Sequence, residues 1–376
     1  MNKDFNHSYW ELKSYFQPCD LIVVGAGIVG LSTAIAYKMK HKKANVLVIE
    51  RGVFSEGAST KNAGFACFGS AGELLDDLQN SGRTSQVWDT VKMRWEGLGL
   101  LRKRLGDKAI DYKGWGGFEL FTEKQEWEAV CNALDTLNSE IKVNLGIREC
   151  YSKVSSPLKY TKGFKGALLN EHEGQLDSGK MMFALEAYTR KLGVRLLYNI
   201  RIEAVLDLKA KVLLSTSQGE FETAKCVVAT NGFAKQLLNL PDVTPARAQV
   251  LVTSPIPGLK IKGTYHFEKG YYYFRNIHNR VLLGGGRHLD FGGETTADFG
   301  LHTGIQKQLE SLLNSNILPG INYTIDQRWS GIMGVGKEKK PIIKATSPNV
   351  IAAVRMGGMG IAIGSKVGEI AAGLLD

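Results

Sequence analysis

Asp20-Leu-Ile-Val-Val-Gly25-Ala-Gly27-Ile-Val-Gly30 decides the fold. Leu21 to Val24 is a short, mostly β-branched run, the composition of a strand buried on both faces. Three glycines follow at once, and then Leu31, Ala34 and Ile35 recur at helical spacing. Asn45-Val-Leu-Val-Ile49 reads as a second buried strand ending in Glu50, 20 residues beyond Gly30. A strand, glycine turn, helix and strand within about 30 residues, closed by an acid, is the pattern of a dinucleotide-binding unit. Each glycine has its own task. Gly25 permits the tight turn, Gly27 lets backbone amides approach a pyrophosphate, and Gly30 lets the helix pack close to the strand. Phosphate then sits at the positive end of the helix, whose first residues are Ile28 and Val29. Glu50 can accept both ribose hydroxyls and disfavours a 2′-phosphate, so NADP is not expected; Arg51 stands beside it. The unit alone does not separate NAD from FAD.

Outward from this unit the chain changes character. Trp88, Val91, Trp95 and Leu98 repeat at helical intervals, as do Trp127, Val130, Leu134, Leu137 and Ile141. Gly114 to Phe121 suits a strand, and Lys180 to Leu192 a third helix leading into the strand Val194–Tyr198. Lys225 to Ala229 is another buried strand, broken at Thr230-Asn231-Gly232. Gln249 to Thr253, Tyr271 to Arg275 and Arg280 to Gly284 read as strands with turns, and Leu301 to Leu313 as a polar helix. Asn349 to Val354 is again a strand, followed by a glycine turn at 357–360 and a small-residue helix from Ile363. No regular element is expected before about residue 20. The expected fold class is α/β: a Rossmann-type nucleotide domain interleaved with an α+β substrate domain on a mostly antiparallel sheet. Its borders are placed at 1–85, 150–240 and 325–376 for the nucleotide domain, and at 86–149 and 241–324 for the substrate or cap domain.

Composition narrows the function classes. With 44% apolar and 22% charged residues over 376 positions, the chain can bury a large core and is not disordered. The longest apolar stretch, Leu21 to Leu31, is 11 residues, against the about 20 that a membrane-spanning helix needs. The net charge of +10 is dispersed; its densest patch is Lys38, Lys40, Lys42 and Lys43, with Arg51 nearby. Nucleic-acid binding is therefore not expected. The five cysteines form no CxxC pair and no zinc-finger spacing, so no metal is expected. The opening residues lack the apolar core of a signal peptide, and reduced thiols in a cytoplasmic setting are expected.

The loop beyond Glu50, Gly57-Ala-Ser-Thr-Lys-Asn-Ala-Gly64, separates the dinucleotides. It resembles the Gly-Ala-Ser-x-x-Asn-x-Gly loop of the D-amino-acid-oxidase-like family of FAD-dependent oxidoreductases, which includes glycine, sarcosine and amine oxidases. The resemblance continues in order through Gly174-Gln-Leu-Asp-Ser178, Val227-Val-Ala-Thr-Asn-Gly232, Tyr271-Tyr-Tyr-Phe-Arg275, Arg280-Val-Leu-Leu-Gly-Gly-Gly286, Arg328-Trp-Ser-Gly-Ile332 and Gly357-Gly-Met-Gly360. It implies FAD contacts at Ser59, Thr60, Asn62, Ala63, Gly64 and Phe65, at Ala229, Thr230, Asn231 and Gly232, and at Gly331, Gly357, Gly358, Met359, Gly360 and Ile361. The last glycine turn also offers amides and a helix N-terminus to a reduced flavin. The position at which some members tether the flavin through cysteine falls on Gly331, and no cysteine follows Cys226, so FAD is expected to be noncovalent.

The chemistry implied by the resemblance is hydride transfer from the carbon beside an amine nitrogen to flavin N5. Imine hydrolysis follows, and the flavin is reoxidised by O2 or another acceptor. Such an amine reacts in its neutral form, which an apolar, aromatic pocket favours. Tyr271 and Tyr273 share one face of their strand, and with Arg275 they are the expected catalytic or substrate-binding residues; His266, a lone histidine, is read first as a structural residue, with a place near the same cavity as the alternative. Amino-acid oxidases of the family hold a carboxylate with arginines in the two closing loops, but here those positions read Met333 and Gly358. Among subfamilies the chain is most similar to gamma-glutamylputrescine oxidoreductase-type proteins, through Ser8-Tyr-Trp, Lys61-Asn-Ala-Gly-Phe65, Gly284-Gly-Gly286 and Arg328-Trp-Ser-Gly331. A small-molecule amine or amino acid is the expected substrate. A 2-hydroxy-acid or glycerol-phosphate dehydrogenase, a tRNA-modifying flavoprotein and a flavin-binding protein without turnover remain the alternatives.

Overall fold

The strand Cys19–Val24 lies at the heart of an eight-stranded sheet because both of its faces are apolar. It pairs in parallel with Val46–Ile49 on one side and with Gly219–Val228 on the other, so that Val24 is level with both Ile49 and Val228. Arg195–Leu197 and Val350–Val354 extend the parallel set outward, and Ile342–Ser347 closes one edge antiparallel. The computed structural model from which this description is drawn covers residues 6–80, 82–155, 158 and 161–376.

Alternation along the central strands sends side chains to two different cores. Leu21, Val23, Val46, Val48 and Val227 pack under the helices Ile28–Lys40, Ser178–Lys191 and Gly360–Gly373. Ile22, Val24, Leu47, Ile49 and Val228 pack on the other face against the hairpin strands Ile202–Asp207 and Val212–Thr216. The small residues of the last helix have a packing reason. A Cβ on Gly368 would lie 2.5 Å from that of Ser32, and one on Gly97 would meet Ala362 O at 2.3 Å. The helix Gly360–Gly373 is thereby wedged between Ile28–Lys40 and Thr84–Leu105.

The second eight-stranded sheet runs in the order Ile325–Val335, Thr244–Thr253, Arg280–Gly285, Tyr272–Ile277, Thr264–Phe267, Gly117–Phe121, Gly166–Asn170, Tyr151–Val154. All its pairs are antiparallel except Thr264–Phe267 with Gly117–Phe121. Tyr265, Phe267, Tyr272 and Phe274 stack on the face covered by the helix Thr303–Leu312. Ala63, Val250, Val252 and Leu282 cluster on the opposite face, with Phe65 and Tyr273 packed against them.

Several sequence expectations shift. The lead before residue 20 holds a helix, Tyr9–Ser14, closed by a reciprocal Ser8/Glu11 capping box. The Ser-x-x-Glu spacing that signals it was present in the sequence. The strand expected from Tyr271 starts at Tyr272, because Glu268, Lys269 and Gly270 have positive φ and turn the chain just before it. The final helix begins at Gly360 rather than Ile363. Sheet membership also departs from the expected borders. Tyr151–Val154, Gly166–Asn170 and Ile325–Val335 all belong to the second sheet, although they lie in segments 150–240 and 325–376. The helix Thr84–Leu105 places Leu98 and Leu101 in the core of the first sheet, and Trp88 and Val91 in a separate core beside the second.

Candidate cofactor and substrate cleft

A cleft of about 760 Å³ begins at the carboxyl ends of the central strands, where Val24, Ile49 and Ala229 line it, and reaches the second sheet at Val250, His266 and Tyr273. Ligands of open parallel sheets bind at this end of the strands.

Backbone geometry dominates the first half. Gly25 has φ +104°, a conformation disfavoured for residues with a Cβ, and a Cβ on Gly30 would stand 1.9 Å from Gly25 O. Gly30 therefore brings helix and strand together and does not itself line the cleft, whereas Gly25, Gly27, Ile28 and Val29 do. Glu50 lines it too, with one oxygen accepting from Ala26 N at 2.9 Å and the other from Gly52 N at 3.0 Å. Arg51 lays its guanidinium 3.8 Å from the ring centre of Phe233 at the same end.

The loop after Glu50 folds onto the turn. Ser59 Oγ accepts from Ile28 N at 3.0 Å. Asn62 Oδ1 accepts from Gly64 N at 2.8 Å and from Ser178 Oγ at 2.6 Å, so a single amide shapes the loop. Ser59, Asn62, Ala63 and Phe65 line the cleft. Thr60 and Gly64 do not: Thr60 Oγ1 donates to Ser55 O, and Gly64 (φ +74°) is backed by Leu176 O and Arg275.

The remaining expected contacts converge from two further corners. Ala229, Thr230 and Asn231 line the cleft, whereas a Cβ on Gly232 would meet Met333 O at 2.4 Å behind the wall. Asn231 Oδ1 accepts from Arg355 N and Met356 N, both at 3.1 Å, and so ties this corner to the last glycine turn. Gly331, Gly357, Gly358, Met359, Gly360 and Ile361 all line the cleft.

At the far end Tyr271 and Tyr273 form an aromatic wall. The Tyr273 ring meets Phe65 edge-on at 5.5 Å, and burial pushes its phenol up to about 12. Tyr271 is 43% exposed at the mouth, its ring 4.6 Å from that of His288. Arg275 shares their side of the sheet but lies under Gly64 instead of lining the cleft; burial lowers its guanidinium to about 10. Met333 and Gly358 face the cleft without a cation, and Arg355 is tied to Asp242 and to Lys340 O.

Charged residues that the sequence did not single out complete this end: Glu73, Asp76, Arg94, Lys269, Arg287 and Lys339. Beneath them Glu173 Oε1 accepts from Phe68 N and Gly69 N, and both Glu119 oxygens accept from Gly72 N. Burial raises Glu173 to about 8 and Glu119 to about 7. For Glu73 burial is overcome by Arg94 and Lys339, which bring it down to about 2. No sequence spacing links these residues. Among the described residues there is no cluster of His, Cys, Asp or Glu able to hold a metal, and no helix long and apolar enough to cross a membrane.

Comparison with known proteins agrees with this geometry. The family model "FAD dependent oxidoreductase" (DAO) matches residues 20–374. Gamma-glutamylputrescine oxidoreductase of Escherichia coli is 25% identical over 381 residues, covering 95% of this chain and 83% of the relative. The bifunctional protein ThiO/ThiG of Synechocystis sp. is 24% identical over 238 residues, 62% of this chain but 32% of that protein, so the chain spans well under half the length of that relative. Glycine oxidase from Geobacillus kaustophilus has the same fold, with a TM-score of 0.75 and 20% identity over 95% of this chain and 94% of that one. With three glycine corners on one cleft and a family match over nearly its whole length, the chain belongs to the D-amino-acid-oxidase-like family of FAD-dependent oxidoreductases.

Proposed function

We propose that the protein oxidises the C–N bond of an amine or amino acid with noncovalently held FAD. The observation that carries this reading is a single cleft joining the glycine corners to the half-buried aromatic wall of Tyr273 and Phe65. The cleft fits FAD on its own terms. Gly25, Gly27, Gly357, Gly358 and Gly360 bring bare backbone to its surface, and the hydroxyl of Thr230, buried in its wall, has no hydrogen-bond partner among the described residues. Glu50 would hold the ribose, the amino end of Ile28–Lys40 the pyrophosphate, and Asn62, Ala63 and Phe65 with Gly357 to Ile361 the ring. Gly331 offers no sulfur for a covalent tether. When bound, FAD supplies the two-electron acceptor for the oxidation.

The chain's own residues set the conditions. An apolar wall disfavours an ammonium and so promotes the neutral amine. Tyr273 stays a phenol across physiological pH, because burial pushes it to about 12, and it adds no charge beside the amine. Burial likewise holds His266 at about 4, leaving a neutral imidazole. The missing arginines at Met333 and Gly358 favour substrates whose carboxylate is not held by the closing loops.

The test is anaerobic mixing of the yellow holoprotein with panels of amines, amino acids and 2-hydroxy acids. Bleaching of the flavin band by an amine or amino acid is the expected result. Bleaching by hydroxy acids alone would replace C–N with C–O oxidation, and a protein that stays colourless after reconstitution with FAD would overturn the proposal. Oxygen uptake with and without an artificial acceptor then separates oxidase from dehydrogenase.

A further inference from the structure

The charged end of the cleft is assembled from separate elements: Glu73 from the helix Ala71–Asn80, Arg94 from Thr84–Leu105, His266 from the strand Thr264–Phe267, and Lys339 from the loop after Ile325–Val335. Its carboxylates already hold cations. Glu73 lies 3.0 Å from Lys339 Nζ and 3.7 Å from Arg94 Nη1, Asp77 lies 2.7 Å from the same lysine, and Asp76 lies 2.6 Å from Lys269 Nζ. The groups left over are of the other kind. Arg94 is 5% exposed and His266 9%, and the Nε of one and the Nε2 of the other are buried without a hydrogen-bond partner among the described residues.

Buried polar atoms are rarely left unpaired, because the unmet group costs on the order of 1–3 kcal/mol. A guanidinium can only donate, and a neutral imidazole donates from one nitrogen. Arg94 turns Nη1 towards Glu73 and Phe68 O and keeps Nε free to donate; beside it, a His266 imidazole protonated at Nε2 adds a second donor, and the pair suits an incoming acceptor better than a second ammonium. A separate observation points the same way: Met333 and Gly358 put no cation at their two positions in the closing loops, and Arg355 and Lys339, which also line the cleft, are tied to Asp242 and to Glu73 and Asp77.

We infer that Arg94 and His266 receive a carboxylate of the substrate at this end of the cleft, so that the acid group of the oxidised amine is bound away from the closing loops. This rests on the reading of the protein as an amine-oxidising flavoenzyme. Arg94 also bonds to Phe68 O at 3.2 Å, which gives it a share in shaping the chamber; His266 is the cleaner probe.

The experiment is equilibrium binding of three probes of one size, butyrate, butyramide and butylammonium, to the FAD-loaded protein by calorimetry. The expected order is butyrate first, with His266→Leu weakening it about tenfold or more, the loss expected for a hydrogen bond to a charged group. His266→Gln, which keeps a donor, should recover most of that loss, and Arg94→Met should weaken butyrate more than butyramide. Butylammonium binding tightest, no measurable binding of butyrate, or equal butyrate affinity in wild type and His266→Leu would each overturn the inference. The outcome stands apart from the flavin test: a protein that binds butyrate through His266 but is bleached by no amine would overturn the proposed chemistry and leave this contact in place.

Discussion

The two halves of the cleft are built on opposite plans. At the proposed nucleotide half the working surface is backbone, shaped by glycines close together in sequence, such as Gly25, Gly27 and Gly30. At the proposed substrate half it is side chains, and neighbours such as Glu73 and Lys339 are 266 residues apart. A turn that needs positive φ or close backbone contact leaves a local trace in the sequence. A chamber of side chains gathered from two helices, a strand and a loop leaves none. The halves should therefore fail differently: the first all at once when a Cβ is added, the second by degrees and with pH.

The largest effect is expected at Gly30. Its built Cβ lies 1.9 Å from Gly25 O, so Gly30→Val should push the helix off the strand, cost more than about 3 kcal/mol and abolish FAD retention. Gly99→Ala, on the exposed side of the helix Thr84–Leu105, is the control, since nothing lies within 4 Å of that Cβ and the residue does not line the cleft. Thermal melting and flavin content of the two variants measure this; equal behaviour would break the contrast between a packing glycine and an incidental one.

Next comes the pH response of the carboxylates under the substrate half. Glu173 is 1% exposed, and its Oε1 accepts both amides, leaving Oε2 for a proton. A buried acid raised from 4.5 to about 8 stays protonated in the folded protein while it ionises in the unfolded chain. Stability is therefore fully present below about pH 4.5 and is lost as pH rises towards 8, by an amount on the order of a few kcal/mol. Glu173→Gln keeps the acceptor and removes the titration, so denaturation from pH 5 to 8.5 should flatten and the variant should gain most at the alkaline end. Glu73, brought down to about 2, has the reverse sign: its contribution is present above about pH 4.5 and is lost as the pH falls towards 2.

A smaller loss is expected for Glu50→Gln. The carboxylate accepts from Ala26 N and Gly52 N, and an amide can replace one of these acceptors but not both. FAD should dissociate about tenfold more readily, as measured by dialysis and reconstitution. An unchanged dissociation constant would mean that Glu50 only braces its turn.

What could be read from the sequence follows the same division. The parallel strands, the helix carrying Trp127 and Ile141, and nearly every glycine corner were legible, because apolar period and glycine spacing are local. Gly64 and Gly232 were legible as glycines but not as packing positions, since only the fold brings Leu176 O and Met333 O against them. Tyr151–Val154 and Gly166–Asn170 were not singled out as strands, and they join the second sheet through the pairing of Gly166–Asn170 with Gly117–Phe121, far away in sequence. Arg275 alternates correctly with Tyr273, but alternation does not reveal that Gly64 lies between it and the cleft. His266 was noticed but read first as a structural histidine, and Glu73, Arg94 and Lys339 resemble any charged residue on a helix or loop.

The smallest effect should come from Tyr271, and it bears on whether the aromatic wall is one surface or two. Tyr271 follows a left-handed turn at the mouth and is 43% exposed, whereas Tyr273 is packed against Phe65 within the strand. Removing a half-exposed hydroxyl costs at most about 1 kcal/mol, because water already competes for it. Tyr271→Phe should therefore raise KM by about two- to fivefold and leave kcat unchanged. Tyr273→Phe alters a phenol set deeper in the cleft and should act on kcat as well. If Tyr271→Phe changes neither constant, the mouth residue is only part of the wall, and substrate contact begins at Tyr273. If it lowers kcat tenfold, the reacting centre lies nearer the mouth than burial suggests, and the division between an exposed entrance and a buried reaction chamber fails.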